Sequence, residues 1–397
     1  MPSSGPDMNM QTDWPSVEGL GRHPALAALA EGGPDAETVE GFLAGQEFPL
    51  AEPGMLTFAW RGAADHLHLV RWIHAGADRR PFVRLAGTDL WLLRLAVEDG
   101  GRFEYKLAIG RGGREELVVD PLNPARAGDP FGENSVAQTL GYSRPDWSLP
   151  RGAPAGRIET LEIASPAFGE TRAVRVYLPS GHDPGRPAPL VVIHDGDDFT
   201  AYADLPAVLD NLIDAGDLPP LIAALVQTRD RLGEYSGSRA HARFLTGELL
   251  PAVAGRWRLS EAPRERVLLG ASLGAVASLS TAWRFPGVFG GLVLKSGSFV
   301  LDERKLARRP HAVFHRIARL MRAMRRAPGR PAERAFVSTG ELEGLADENR
   351  ALASFLRERG VDVLFKSAWD GHHWHNWRDQ LRDGLMWVLR PGEDRQN

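Results

Sequence analysis

The spacing of apolar residues changes twice along the chain. Residues 1–17 are polar and predict a disordered tail. Two short helices are expected at 24–30 and 35–44. From Met55 the pattern turns to β-type runs, 55–60, 67–73, 89–95 and 103–109, separated by Gly, Ala-Asp or Asp-Gly breaks. Four short strands at that interval predict a small β-sandwich of immunoglobulin-like type, closed by the turn-rich Asp120-Pro121-Leu122-Asn123-Pro124. Residues 143–158, rich in Pro, Gly and Arg, read as a linker. Beyond it apolar strand runs at 172–178, 190–194, 221–226, 266–269, 291–294, 335–338 and 361–366 alternate with helical stretches such as 238–257, 275–284 and 345–359. That alternation predicts an α/β fold with a mostly parallel sheet covered on both faces. The expected organisation is therefore a tail over 1–17, a sandwich unit with leading helices over 18–142, a linker over 143–158 and a catalytic α/β domain over 159–397.

Composition narrows the chemistry. The 397 residues are 43% hydrophobic and 25% charged, enough for a sizeable core in two or three domains. With no cysteine there is no disulfide, no thiolate nucleophile and no Cys-ligated zinc. A net charge of −4 gives no bulk electrostatic case for nucleic acid. The first residues lack the basic and apolar regions of a signal peptide, and no apolar run reaches membrane-spanning length. The expected compartment is the cytoplasm, with no membrane partner. Lysine occurs only at Lys106, Lys295, Lys305 and Lys366, so almost every cation is a planar, bidentate arginine.

One stretch offers a nucleophile. Gly270-Ala271-Ser272-Leu273-Gly274 follows the apolar run Val267-Leu268-Leu269 and precedes a helix-forming segment. The pattern matches G-x-S-x-G, the strand-to-helix nucleophile elbow of α/β-hydrolases. In such a turn the serine sits at a strained φ/ψ, side chains at the flanking glycines would crowd it, and the amide of Leu273 can face an oxyanion. The alternative is a plain glycine turn. In this fold class an acid and then a histidine follow the serine in sequence. The loop Gly371-His372-His373-Trp374-His375 holds three of the twelve histidines. His372, directly after a glycine, is the candidate base; His373 and His375 read as surface or packing residues. A zinc site there has neither cysteine nor a helical H-x-x-x-H to support it. Glu341, Glu343 and Asp347 all qualify by position for the acid that fixes the histidine tautomer. A second oxyanion N–H is expected from the loop His194-Asp195-Gly196-Asp197, where Gly196 would allow a turn presenting the Asp197 amide; an ordinary surface turn is the competing reading.

These residues, together with Arg231-Leu232-Gly233-Glu234, Glu248-Leu249-Leu250-Pro251, Ser296-Gly297-Ser298-Phe299 and Trp377-Arg378, resemble the enterochelin (enterobactin) esterase family of α/β-hydrolases from Met55 onward. The resemblance implies that Ser272 is the nucleophile, His372 the base and Glu343 the acid. It also implies an oxyanion hole from the amides of Leu273 and Asp197, substrate contacts from Arg231 and Phe299, no cofactor and no resident metal. The substrate it implies is a ferric catecholate siderophore, whose trilactone esters are hydrolysed in the cytoplasm to release iron. Where that family often carries tryptophans after Ser-Gly-Ser-aromatic, this chain has Val300-Leu301. A bulky trianion should attract guanidinium groups, and the segment 304–326 supplies eight arginines threaded by apolar residues at helical spacing. A solvated basic face is the plainer reading of that segment, as a structural ion pair with Glu234 is for Arg231. Competing functions are a carbohydrate or feruloyl esterase of the same fold, and a non-catalytic binding protein with an inert hydrolase domain.

Overall fold

The computed structural model describes residues 24–31, 35–71, 78–302, 304, 306 and 311–391. The tail expected over 1–17 lies outside them, as do Arg308 and Arg309. The chain divides into two compact units: residues 1–126 with 133–142, and residues 127–132 with 143–397.

Along the first part of the chain α1 (Pro24–Glu31) and α2 (Ala36–Ala44) precede ten strands: β1 (Leu50–Glu52), β2 (Met55–Arg61), β3 (His66–Arg71), β4 (Arg79–Pro81), β5 (Val83–Arg84), β6 (Leu90–Ala96), β7 (Arg102–Arg111), β8 (Arg114–Val118), β9 (Arg126–Asp129), which after Arg126 belongs to the second unit, and β10 (Gly132–Gln138). They form one sheet in the order β1-β2-β6-β5 and another in the order β4-β3-β7-β10-β9, with β8 also on β7. Leu26, Leu29, Val39 and Phe42 of the two helices pack with Leu50, Ala59, Leu90 and Leu92 of the first sheet. Phe58 meets Phe103 and Tyr105 of the second, with ring centroids 6.2 and 5.1 Å apart. The expected closing turn works through polar atoms. The buried Tyr105 hydroxyl donates to Asp120 at 2.7 Å, and Asn123 donates to Tyr105 and to the Val136 carbonyl.

The second unit continues with β11 (Arg157–Ser165), β12 (Glu170–Leu178), β13 (Leu190–His194), α3 (Gly196–Tyr202), α4 (Leu205–Asp214), β14 (Ile222–Val226), α5 (Arg231–Glu234), α6 (Arg239–Arg243), α7 (Leu250–Arg256), β15 (Arg266–Ala271), α8 (Leu273–Arg284), β16 (Gly291–Lys295), α9 (Ala312–Arg326), β17 (Arg334–Gly340), α10 (Ala346–Glu358), β18 (Asp362–Ala368), α11 (Trp374–Asp379) and α12 (Leu381–Leu389). Its eight strands run in the order β11-β12-β14-β13-β15-β16-β17-β18. From β14 to β18 all neighbours are parallel, and β12 is antiparallel to both β11 and β14. Each face of the sheet carries an apolar layer. Leu268, Leu292 and Leu294 pack with α8, α9 and α10 on one side, and Val267, Leu269 and Val293 pack with α4 and α12 on the other. Central strands such as β13 and β14 are buried throughout, which is why they read as unbroken apolar runs.

Two expectations about this half change. The expected linker runs into β11 and is fastened to its own unit: Asn211 donates to the carbonyls of Trp147 and Leu149, and Arg144 to Ser148. The single helix expected over 238–257 is α6, a π-helical turn (Phe244–Leu249) and α7. Glu248, within that π turn, accepts from the Ser165 hydroxyl at 2.5 Å and the Ala167 amide at 2.9 Å. It thereby ties the helix to the turn between β11 and β12.

Candidate active site

Because β13 and β15 to β18 are parallel, their C-terminal ends open on one edge of the sheet, where ligands of such sheets bind. His194, Ala271, Lys295, Gly340 and Ala368 are the last residues of these strands. The candidate residues therefore start from a common edge, although they span nearly two hundred positions of sequence.

Ser272 follows β15 and caps the N-terminus of α8 at φ 56°, ψ −119°. A non-glycine residue in that region costs on the order of 1–3 kcal/mol and persists only where surrounding structure over-determines it. Here the Ser272 amide donates to the Lys295 carbonyl at 2.9 Å, and the Ser298 amide donates to the Ser272 carbonyl at 3.1 Å. A Cβ on Gly270 would lie 2.3 Å from the Gly274 backbone carbon, so the elbow closes only around a bare glycine. The Ser272 and Ser298 hydroxyls are 3.1 Å apart. Ser298 was not among the sequence candidates; its only signal was the Ser-Gly-Ser after β16. The loop carrying it is clamped by Asn349 of α10, which accepts from the Gly297 amide and donates to the Gly297 carbonyl.

The three candidate acids separate sharply. Glu341 and Asp347 both face Arg350. Glu343 has a side chain with no exposure and lies 2.5 Å from His372 Nδ1. Its other oxygen accepts from the Thr339 hydroxyl at 2.5 Å and the Gly340 amide at 2.8 Å. Burial by itself would raise this carboxyl's pKa. The His372 ring and hydrogen bonds from His372, Thr339 and Ser296 outweigh burial and hold it below the ordinary glutamate value. The loops are brought together by backbone bonds that prolong the β17–β18 ladder: Glu341 N–H to the Ala368 carbonyl and Leu342 N–H to the Asp370 carbonyl. His372 remains partly exposed and stands edge-on to Trp377, with centroids 5.0 Å apart. Trp377 is itself pinned by donation to the Ser296 hydroxyl at 3.0 Å. His373 is buried as the residue capping α11.

The loop after β13 departs from expectation. The left-handed residue is Asp195, at φ 55°, and Gly196 already begins α3. What Gly196 supplies is closeness, since a Cβ there would lie 2.5 Å from the Leu225 backbone. The Asp197 amide belongs to the first turn of α3, whose N–H groups have no acceptor within the helix. The Leu273 amide has the same standing in α8. Asp195 is buried and bonded bidentately by Arg231, so Arg231 braces this loop and its ion-pair partner is Asp195 rather than Glu234. Glu234 instead binds Arg172 through two bonds of 2.9 Å. Beneath the loop, His194 and His241 join Nε2 to Nε2 at 3.0 Å, and His194 Nδ1 lies 3.0 Å from Ser278. Burial, with His241 second, lowers the His194 pKa to about 3, so the ring stays neutral. Phe299 departs from its own binding expectation. It is fully buried in the core, with its ring folded over Gly297, and presents no face to a ligand.

Among the described residues no helix is long and apolar enough to cross a membrane. The Iron(III) enterobactin esterase of Escherichia coli O6:H1 is 23% identical over 375 residues, covering 85% of this chain and 91% of that protein. The Iron(III) enterobactin esterase of Dickeya dadantii is 25% identical over 402 residues, covering 86% and 88%. The crystal structure of the enterobactin esterase from Shigella flexneri, in the presence of enterobactin, is 20% identical and superposes with a TM-score of 0.69 over 89% of this chain and 98% of that one, which establishes an α/β-hydrolase-like fold. The Esterase family model matches residues 165–388, from the end of β11 to α12, and the chain belongs to the Esterase family.

Proposed function

We propose that this protein is a serine esterase that opens the ester bonds of a ferric catecholate siderophore, an enterobactin-like trilactone, in the cytoplasm. The observation that carries the catalytic reading is the buried Glu343 carboxylate bonded to His372 Nδ1, on the sheet edge where Ser272 occupies the strained elbow. Glu343 fixes the tautomer, so that His372 Nε2 takes the Ser272 proton as Oγ attacks the ester carbonyl. The amides of Leu273 and Asp197 receive the oxyanion. His372 then protonates the departing alkoxide, and water, activated by the same ring, releases the catechol-bearing acid from Ser272. The iron is cargo of the substrate. No resident metal or cofactor takes part in this scheme.

The substrate reading rests on relatives that are enterobactin esterases over most of their length. The two facing antiparallel sheets of the first unit, joined through Phe58, support reading it as the sandwich that such enzymes carry ahead of the hydrolase. A fluorophosphonate probe should label the wild-type protein and not Ser272→Ala. Ferric enterobactin should be hydrolysed in preference to methyl ferulate. Labelling that survives Ser272→Ala refutes the nucleophile, and labelling with preference for the ferulate refutes the siderophore substrate alone.

A further inference from the structure

One cluster on the first unit has the chemistry of a metal site and lies outside everything described above. The ligand atoms offered by His66, His68 and Glu115 all lie within 4.8 Å of one another. The cause is sheet geometry. Residues two apart on β3 point the same way, which puts both imidazoles on one face. His66 is paired with Gly110 of β7, and Gly110 in turn with Glu115 of β8. A Cβ on Gly110 would meet the His66 ring at 2.1 Å. The middle strand is thus bare where it must be, and a histidine from one neighbour reaches a glutamate from the other above it, with His66 Nε2 3.4 Å from Glu115. His68 Nδ1 is buried without a hydrogen-bond partner.

We infer that His66, His68 and Glu115 form a binding site for a divalent transition-metal ion, Zn2+ by the chemistry of its donors. Two imidazoles and a carboxylate suit zinc, whereas Ca2+ and Mg2+ prefer oxygen alone. Three protein ligands leave the fourth tetrahedral position to water. At Zn–ligand distances of 2.0–2.2 Å the ligand atoms would stand about 3.4 Å apart. The present spread therefore closes by rotation of His66 and Glu115, both substantially exposed. Arg79 now pairs with Glu115. It is the counter-charge of the metal-free site and competes with the ion. Bound metal would join β3 to β8 across β7.

Calorimetric titration of the full-length protein with ZnCl2 tests this. One saturable ion per chain is expected, with a rise in Tm and, for Co2+, visible d–d absorption. The double variant His66→Ala/His68→Ala should lose the binding step, the spectrum and the Tm response while still hydrolysing p-nitrophenyl acetate. Glu115→Gln should weaken binding by at least about 10-fold, the smallest loss that outer-shell partners alone produce. Arg79→Ala should strengthen it by removing the competitor. A binding step that survives the double variant and disappears in His373→Ala/His375→Ala would assign the zinc to the other histidine cluster and overturn the inference. Absence of a saturable step in the wild-type protein, or weaker binding in Arg79→Ala, would overturn it too.

Discussion

At the scale of single residues, what could be read from sequence was set by how rigidly backbone geometry constrains residue type. The elbow was legible because Gly270 has no room for a side chain and Ser272 must sit at positive φ; few sequences satisfy both. Which carboxylate meets His372 was not legible from spacing, because Glu341, Glu343 and Asp347 lie within seven positions of one another and only side-chain direction separates them. The surroundings of Arg231 and Phe299 were not legible for a related reason: their partners, Asp195 and the core over Gly297, come from chain geometry no local pattern encodes. The roles proposed for Ser272 and Glu343 predict unequal losses. In subtilisin, removal of the serine costs about 2 × 10⁶ in kcat and removal of the acid about 3 × 10⁴. Ser272→Ala should therefore lose about six orders of magnitude with p-nitrophenyl acetate, and Glu343→Gln about four. If Glu341→Gln is the damaging change and Glu343→Gln is mild, the acid is misassigned.

At the scale of elements, long apolar runs announced the buried strands of the second unit, and the helices α8 and α10 fell close to their expected bounds. Strands without a regular apolar pattern did not announce themselves. β8 is exposed along most of its length and β10 reads Gly-Glu-Asn-Ser-Val-Ala-Gln, so neither carries the alternation that marks a half-buried strand. The junction of β15 with α8 gives a stability prediction. Gly270→Ala forces a methyl group into backbone that cannot rotate away, so a loss at or above the usual 1–3 kcal/mol of overpacking is expected in urea unfolding. A loss below 0.5 kcal/mol would mean the turn opens more easily than this geometry implies. The end of β16 gives a second. The Lys295 ammonium is fully buried, close to the Phe336 ring at 5.0 Å, and burial lowers its pKa from 10.5 to about 7. Between those values the unfolded chain binds a proton that the folded chain lacks, so this residue makes stability rise with pH. Lys295→Met should remove the rise. Its stability advantage over the wild-type protein should be largest at or below pH 7 and shrink toward pH 10.5. An advantage that does not change with pH would show the lysine to be as easily protonated folded as unfolded.

At the scale of the whole molecule, net charge and local charge point in opposite directions. The chain carries −4 overall, yet the exposed positions of α9 include Arg319, Arg322, Arg325 and Arg326. If such arginines steer a trianionic substrate, kcat/KM for the ferric siderophore should fall between 0.01 and 0.1 M salt, as the screening length drops from about 30 to about 10 Å. The same ratio for neutral p-nitrophenyl acetate should hardly move. Equal responses would remove electrostatics from substrate choice and leave the catalytic groups untouched. The fold class could be read because strand and helix periods alternate over two hundred residues; the sheet order could not, because it depends on which apolar runs pair across long stretches of chain. That order also dictates when activity can exist. The groups that would perform catalysis leave the sheet after β13, β15, β16, β17 and β18, so none is placed until parallel pairings between distant segments have all formed. Such pairings are slow, because the closure entropy of long loops is lost before their contacts form. Hydrolysis should thus be the last signal to return on dilution from denaturant, lagging the far-ultraviolet dichroism of the helices. In that sense the esterase reaction is a clock for completion of the sheet, and two complementary fragments cut between β16 and β17 should each be silent until they reassociate.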